Sequence, residues 1–346
     1  MSDPLYGSEI LIKRKWYDTP TMAINRERYS AIRRFNAKVH STYKIIGLGC
    51  AVCDSRDCTP LLDRDSYGIS VCIGVCDKCG FVYNYRYLDD LSLNDFYRNE
   101  YRIIDRGSDA PTAIEDFFVH QYKKGQLIFL TLDAKIPDLK DYVVIEIGCG
   151  AGGILSAFKD RGIEVMGIDI GNLKYIEYGR SKGLNLSQGD LSSSKFPMGK
   201  KRLFIYEQVL EHVLDIDKEM LKLKGLMVAS DRLYIGLPGL LNISRSYDDN
   251  IFQYFILPHI YYFTGDSLKA LMSKYGFGAL YCDETIRSIF VPDPQMKVHK
   301  LSQKQRIIDY LKECEARYRQ RTKSSFYLRP FKRKCIGPIL RTLGIF

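Results

Sequence analysis

The stretch Val143–Leu155, VVIEIGCGAGGIL, constrains this chain more than any other. Val143, Val144, Ile145 and Ile147 form a short apolar run rich in β-branched residues, which reads as a buried strand. Gly148, Gly150 and Gly152 then give G-x-G-x-G, and Ile154, Leu155, Ala157 and Phe158 begin a helical period. A strand that turns sharply into a helix needs residues tolerating positive φ and a backbone that can lie close to a ligand. Glycine supplies both. Such a loop by itself is equally an ordinary strand–helix turn, so the downstream strand ends decide.

Glu164–Ile170, EVMGIDI, reads as a second strand with Asp169 near its end. An acid roughly 20 residues beyond the loop can accept hydrogen bonds from both hydroxyls of a ribose. Leu184–Leu191, LNLSQGDL, ends a third strand at Asp190, placed to reach an adenine amino group. A fourth strand, Leu203–Tyr206, runs into Glu207–Val213, EQVLEHV. Together these residues resemble the class I S-adenosylmethionine-dependent methyltransferases, over about residues 120–292. Glu146-Ile-Gly148-Cys-Gly150-Ala-Gly152 is similar to motif I, Asp169 to the ribose acid, and Gln208-Val-Leu-Glu211-His212 to motif IV. The resemblance implies an α/β fold with a doubly wound, seven-stranded Rossmann-like sheet. It implies S-adenosylmethionine as cofactor, with Asp169 on ribose, Asp190 on adenine and the backbone around Gly148–Gly150 against the methionine part. Glu146 would hydrogen-bond to the loop or to the methionine amino group, and Glu207 joins the candidate cofactor residues. A nicotinamide enzyme is the competing reading, because Gly148, Gly150 and Gly153 also fit G-x-G-x-x-G. Glu146, Asp190 and the motif IV segment favour the methyltransferase.

Cys50-Ala-Val-Cys53 and Cys76-Asp-Lys-Cys79-Gly80 are two C-x-x-C pairs about 22 residues apart, the pattern of a zinc ribbon. Four thiolates would fill a tetrahedral Zn²⁺ and leave no open position for water, so the site would be structural. Cys58 and Cys72 lie in the same stretch and could substitute for one of the four. The stretch resembles the zinc-binding domain that precedes the methyltransferase core in a group of sugar C- and O-methyltransferases.

These landmarks divide the chain into a basic N-terminal extension (1–49), a zinc ribbon (50–83), a helical connector (84–141), the cofactor domain (142–292) and a basic helical tail (293–346). In the extension, Met22–Val39 reads as a helix with arginines around an apolar side. Tyr87–Arg98 and Asp116–Leu132 read as connector helices. Beyond the fourth strand the pattern predicts a helix over Ile216–Lys224 and a strand over Arg232–Leu237. An irregular roof comes next over Leu240–Leu257, then an N-cap at Thr264 for a helix to Tyr275. Ala279–Cys282 and Ile286–Val291 would complete the sheet, and Lys297–Lys323 reads as a charged helix. Arg329–Lys334 with the apolar end Ile336–Phe346 could lie on an anionic membrane surface, although packing on the body is the blander reading. The absence of a signal-type apolar segment points to the cytoplasm, where thiols stay reduced or metal-bound. A formal charge of +10 suggests an anionic partner without separating nucleic acid, membrane and phosphorylated sugar.

Methyl transfer from a sulfonium to a hydroxyl needs alignment, exclusion of water and a base. Two histidines compete as the base: His259, just after the irregular roof, is preferred, and His212, after the fourth strand, is the second candidate. Tyr261 and Tyr262 could offer a sugar a flat face and hydroxyl hydrogen bonds. Some relatives carry E-x-x-E-H and bind a divalent ion there; Gln208 at the first position argues against that here. Related sugar C-methyltransferases place Tyr and a His-Glu-His run before the last helix, of which Ile256-Leu-Pro-His259 retains only the last histidine, so O-methylation is preferred. An RNA methyltransferase is the runner-up and a non-catalytic binding module the third reading.

Overall fold

The computed structural model describes residues 26–106 and 112–331. The part of the N-terminal extension before Arg26, and residues 332–346 with most of the terminal basic cluster and all of the apolar end, lie outside the described residues. In chain order, α1 (Arg26–Ser41) leads to four strands, β1 (Ile45–Gly47), β2 (Cys58–Arg64), β3 (Ser70–Cys76) and β4 (Val82–Leu88). Three connector helices come next, α2 (Asp90–Asn99), α3 (Tyr101–Arg106) and α4 (Thr112–Asp133). The helix read over Tyr87–Arg98 therefore starts later. Tyr87 and Leu88 pair with Ile46 and Ile45 as strand, and Asp89 caps α2 by accepting from the Ser92 N–H.

The cofactor domain begins with β5 (Tyr142–Ile147), all six residues of which are buried. It continues through α5 (Gly153–Lys159), β6 (Val165–Asp169), α6 (Leu173–Ser181), β7 (Leu186–Gln188), β8 (Lys201–Glu207), α7 (Ile216–Leu226) and β9 (Arg232–Gly236). The roof contains two single-turn helices, α8 (Ile243–Ser246) and α9 (Ile251–Tyr254). β10 (Tyr261–Tyr262), α10 (Gly265–Lys274), β11 (Phe277–Cys282), β12 (Arg287–Pro292) and α11 (Lys304–Phe331) complete the fold. The third core strand is shorter than its sequence pattern, because Asp190 leaves the sheet to cap a turn through the Ser192 and Ser193 N–H groups. Thr264 caps α10 in a full capping box with Ser267.

The large sheet has the order β11-β12-β9-β8-β5-β6-β7, with β12 antiparallel to both neighbours and the other pairs parallel. This is a doubly wound α/β sheet of seven strands. Its order reverses between β5 and β8, and open sheets of this kind bind ligands at the strand carboxyl ends beside that reversal. Residues Ile147, Asp169 and Glu207 end the three strands around it.

The small sheet is antiparallel, ordered β1-β4-β3-β2, and takes a further strand from far away: β10 pairs with β4, Tyr261 opposite Tyr83 and Tyr262 opposite Val82. The two sheets share one contiguous core that includes Phe81, Tyr83, Phe255, Tyr262 and Phe263. α1 docks through Ala31, Ile32 and Phe35, and two of its cations are engaged: Lys38 with Asp95 and Glu100, Arg34 with Glu100. α11 starts later than the charge pattern suggests because the Gln303 N–H donates to the Cys79 carbonyl and its side chain accepts from Thr264. At Gly80, with φ +80°, a Cβ would lie 2.3 Å from the Lys304 nitrogen, so only glycine lets the two segments meet. Among the described residues no helix is long and apolar enough to cross a membrane.

Candidate active site and cysteine cluster

The loop after β5 has the backbone its glycines require: Gly148, Gly150 and Gly152 all have positive φ, at 72°, 52° and 77°. The reason is clearest at Gly150, where a Cβ would come within 2.8 Å of the Phe117 ring on α4. α4 lies over the loop and holds it. Gln121 donates to the Cys149 carbonyl at 3.1 Å and accepts from the Gly153 N–H at 3.3 Å. Asp169, at the end of β6, accepts from the Gly150 N–H at 2.7 Å and from the Gly171 N–H. The loop and the acid at the second strand end are thus in contact.

Below them sits a group of carboxylates. Glu146 on β5 is 1% exposed, and its Oε2 has no protein partner. Burial raises its carboxyl well above the ordinary range, reinforced by the charges of Glu207 and Asp169 and opposed by Lys124. Lys124, from α4, pairs with Glu207 at 2.9 Å. Sequence reading passed over Lys124 and Gln121. Their spacing on one side of a helix, ahead of a strand carrying the buried Glu146, was the available signal. Asp190 stands differently from the expectation: its Oδ2 meets Lys222 at 3.0 Å, which holds the carboxyl down at about 2. Its Oδ1 is taken by the turn.

Beyond β8, Glu211 and His212 face His259 of the roof, and one ligating atom from each lies within 4.8 Å of the others. Such a set could share a proton or hold a divalent cation. The histidine rings meet edge-on with centroids 4.8 Å apart. His212 Nδ1 lies 2.9 Å from the Pro258 carbonyl and 3.2 Å from the Tyr97 hydroxyl. A carbonyl only accepts, so Nδ1 carries the hydrogen and Nε2 of the neutral ring is the acceptor. Burial pulls His212 down to about 4, and pulls His259 well below its ordinary value with the help of His212. Tyr97 of α2 is therefore part of this constellation. Tyr261 and Tyr262 are not. Both rings are buried, and their hydroxyls donate to the Leu214 and Ile256 carbonyls, so the tyrosine pair serves the roof's own structure.

The four cysteines at 50, 53, 76 and 79 converge at the other end of the small sheet, with Cys50 and Cys79 sulfurs 3.4 Å apart and Cys53 and Cys76 sulfurs 3.5 Å apart. All are free thiols at distances too long for disulfides and close to the sulfur spacing around one tetrahedral Zn²⁺, about 3.8 Å for Zn–S bonds near 2.3 Å. The crowding shows in their acidity: the Cys76 thiol is pushed down by bonds from Cys50 and Cys79, and the Cys50 thiol up. Cys58 and Cys72 lie on β2 and β3 outside the cluster.

Glu211 supplies a direct test of the buried constellation. It is 1% exposed, neither oxygen has a protein partner, and burial raises its carboxyl to about 8. Above the unfolded value the native state holds a proton that the unfolded chain has released. The carboxyl's stabilising contribution is therefore complete below about pH 4.5 and is lost as pH rises through about 8. Urea unfolding should show the wild type losing stability between about pH 5 and pH 8 relative to Glu211→Gln, by on the order of 1–3 kcal/mol. Parallel pH profiles for the two proteins would contradict a neutral Glu211.

Residues 119–281 match the family model of a methyltransferase domain. A comparison with curated proteins returned no match. Among solved structures, the chain is similar to an S-adenosylmethionine-dependent methyltransferase from Archaeoglobus fulgidus, at 25% identity over 47% of this chain and 74% of that one, with a TM-score of 0.36. It is also similar to the PH0226 protein from Pyrococcus horikoshii OT3, at 15% identity over 57% of this chain and 99% of that one, with a TM-score of 0.40. A third likeness is to the magnesium protoporphyrin IX methyltransferase of Synechocystis PCC 6803 with bound S-adenosylhomocysteine, at 18% identity, 58% and 96% coverage and a TM-score of 0.38. The family match covers the glycine loop, Asp169 and the segment after β8 on the sheet that carries them, and the chain carries a methyltransferase domain.

Proposed function

We propose that the enzyme transfers a methyl group from S-adenosylmethionine to a hydroxyl of a sugar or surface glycan, with His212 taking the hydroxyl proton. The observation that carries this reading is the 2.9 Å contact from His212 Nδ1 to the Pro258 carbonyl. It leaves Nε2 as a proton acceptor in a ring that burial keeps neutral. The residues present also fit the cofactor. The glycine loop has the positive-φ backbone that a cofactor loop needs, Glu146 has an orphaned buried oxygen beside it, and Asp169 stands at the next strand end. Asp190 is the weakest member of the cofactor set, because Lys222 and a turn already engage it.

The cofactor, when bound, supplies a methyl group made electrophilic by a sulfonium. Asp169 would hold ribose hydroxyls, and the loop from Gly148 to Gly152 would let the backbone approach without side-chain obstruction. His212 would accept the proton at Nε2 as the new carbon–oxygen bond forms. Glu211, with Oε1 3.9 Å from that nitrogen, is placed so that its carboxyl oxygen faces the imidazolium that forms. His259 packs edge-on against His212 and would fix the orientation of its ring. Zn²⁺ on Cys50, Cys53, Cys76 and Cys79 would be structural, and a thiolate site of this kind suits a reducing, cytoplasmic setting. An RNA acceptor is less favoured, since the α1 cations Arg34 and Lys38 are committed to acidic partners.

Two measurements bear on this reading. Labelled methyl uptake, screened over nucleotide sugars, oligosaccharides and RNAs, should identify a sugar hydroxyl acceptor. His212→Ala should then lower turnover by about 10²–10⁴-fold. Uptake into RNA alone, or a fully active His212→Ala enzyme, would refute the acceptor or the base respectively. Metal analysis of protein never exposed to chelator should find about one thiolate-bound Zn²⁺ per chain, and none would refute the ribbon site.

A further inference from the structure

The six residues between α9 and β10, Phe255–Ile260, carry His259 and the carbonyl that orients His212, yet they have no regular structure of their own. Their main chain is held largely from the small N-terminal sheet. The Phe255 carbonyl accepts from the Ser66 N–H at 3.2 Å, and the Leu257 carbonyl from the Tyr87 hydroxyl at 2.9 Å. Asn84 takes two more groups: its side chain donates to the His259 carbonyl and its N–H to the Ile260 carbonyl, both at 2.8 Å. A charged group beside that sheet reaches one of the segment's N–H donors. Asp65, 0% exposed, accepts from the Leu257 N–H at 3.0 Å across 192 residues of sequence.

The two oxygens of Asp65 divide their work. Oδ1 closes the turn between β2 and β3 by accepting from the Tyr67 and Ile69 N–H groups at 2.9 and 2.8 Å. Oδ2 accepts from Leu257. Leu257 immediately precedes Pro258, whose carbonyl sets the protonation pattern of the His212 ring. We propose that Asp65 is a positioning residue of the acceptor site: it holds Leu257, and through it the Pro258 carbonyl and His259, in the arrangement that presents His212 Nε2 as the base. The inference rests on the proposed role of His212, and it assigns the small sheet a part in the reaction beyond carrying cysteines. A charged acceptor suits this place because a buried main-chain N–H without a partner is costly, and a carboxylate binds it more strongly than a neutral oxygen.

Asp65→Asn separates the two tasks in the full-length protein. One side-chain oxygen remains to accept the two turn N–H groups, while an amide donor now faces the Leu257 donor. Amide hydrogen exchange should then accelerate by at least about tenfold in peptides covering 255–260, the change expected on losing a charge-assisted hydrogen bond, while peptides covering 65–69 keep their protection. Diethylpyrocarbonate should label His212 and His259 faster than in wild type, and S-adenosylhomocysteine affinity by calorimetry should stay within about twofold. Wild-type protection over 255–260, or equal loss of protection in the turn and the roof, would overturn the proposal and leave Asp65 a turn residue only. Should the Asp65→Asn protein not fold, Tyr87→Phe keeps the buried ring and removes the hydroxyl from the Leu257 carbonyl. The same localised loosening would support the small sheet's hold on residues 255–260, and unchanged exchange and labelling would overturn it. If S-adenosylhomocysteine fails to bind even the wild type, the proposed function falls, while the exchange pattern still decides whether Asp65 holds the roof.

Discussion

The antiparallel pairing of β10 with β4 is the constraint on which the rest of the molecule depends. It joins the small cysteine-bearing sheet to the segment that leads into α10 of the large α/β sheet. With it, Tyr83 and Tyr262 lie in one core, and the segment between α9 and β10 is drawn over the carboxyl end of β8. The same tie recurs on the other side, where Gln303 and Lys304 open α11 against the second cysteine pair. α11 then returns to the roof, where Arg317 pairs with the buried Asp249 and the Tyr310 hydroxyl accepts from the Ser244 N–H. The roof is thus gripped from two directions, by the sheet at Phe255–Ile260 and by the helix at Ser244–Asn250. A loop so held can present a side chain repeatedly in one geometry, which a reaction needing alignment requires.

Electrostatics explains why the carboxyl ends of the strands are so acidic. Glu146, Asp169 and Glu207 converge there, with Lys124 as their nearby cation and burial favouring a proton on Glu146. A cofactor bearing a sulfonium, an ammonium and a carboxylate would add one net positive charge to this surplus of negative ones. The arrangement is tolerable to the free protein because α4 supplies Lys124 and the loop N–H groups supply Asp169 with partners.

The parts legible in the sequence were those set by neighbours along the chain. Alternating burial, turn glycines and caps are local matters, so the strand ending at Ile147, the positive φ of Gly148, Gly150 and Gly152, and the Thr264 cap were all readable from residue type and spacing. The cysteine pairs were legible for a similar reason, since each knuckle is a local turn. What escaped was set at long range. Nothing near Asp65 announces a bond to Leu257, and Tyr97 gives no sign of its place beside His212. Tyr261 and Tyr262 looked like a binding surface because aromatic pairs often are one, whereas strand pairing with β4 turned both rings into core. Asp190 shows how a third party can change a motif residue, as Lys222 reaches it from a helix 32 positions on.

That the glycine loop and Asp169 form the cofactor site is tested most directly by calorimetric titration of S-adenosylhomocysteine into wild type and Asp169→Ala. At about 1.5–3 kcal/mol per hydrogen bond to a charged group, losing the carboxylate should weaken binding at least roughly tenfold. Equal affinities, or no binding to the wild type, would contradict it.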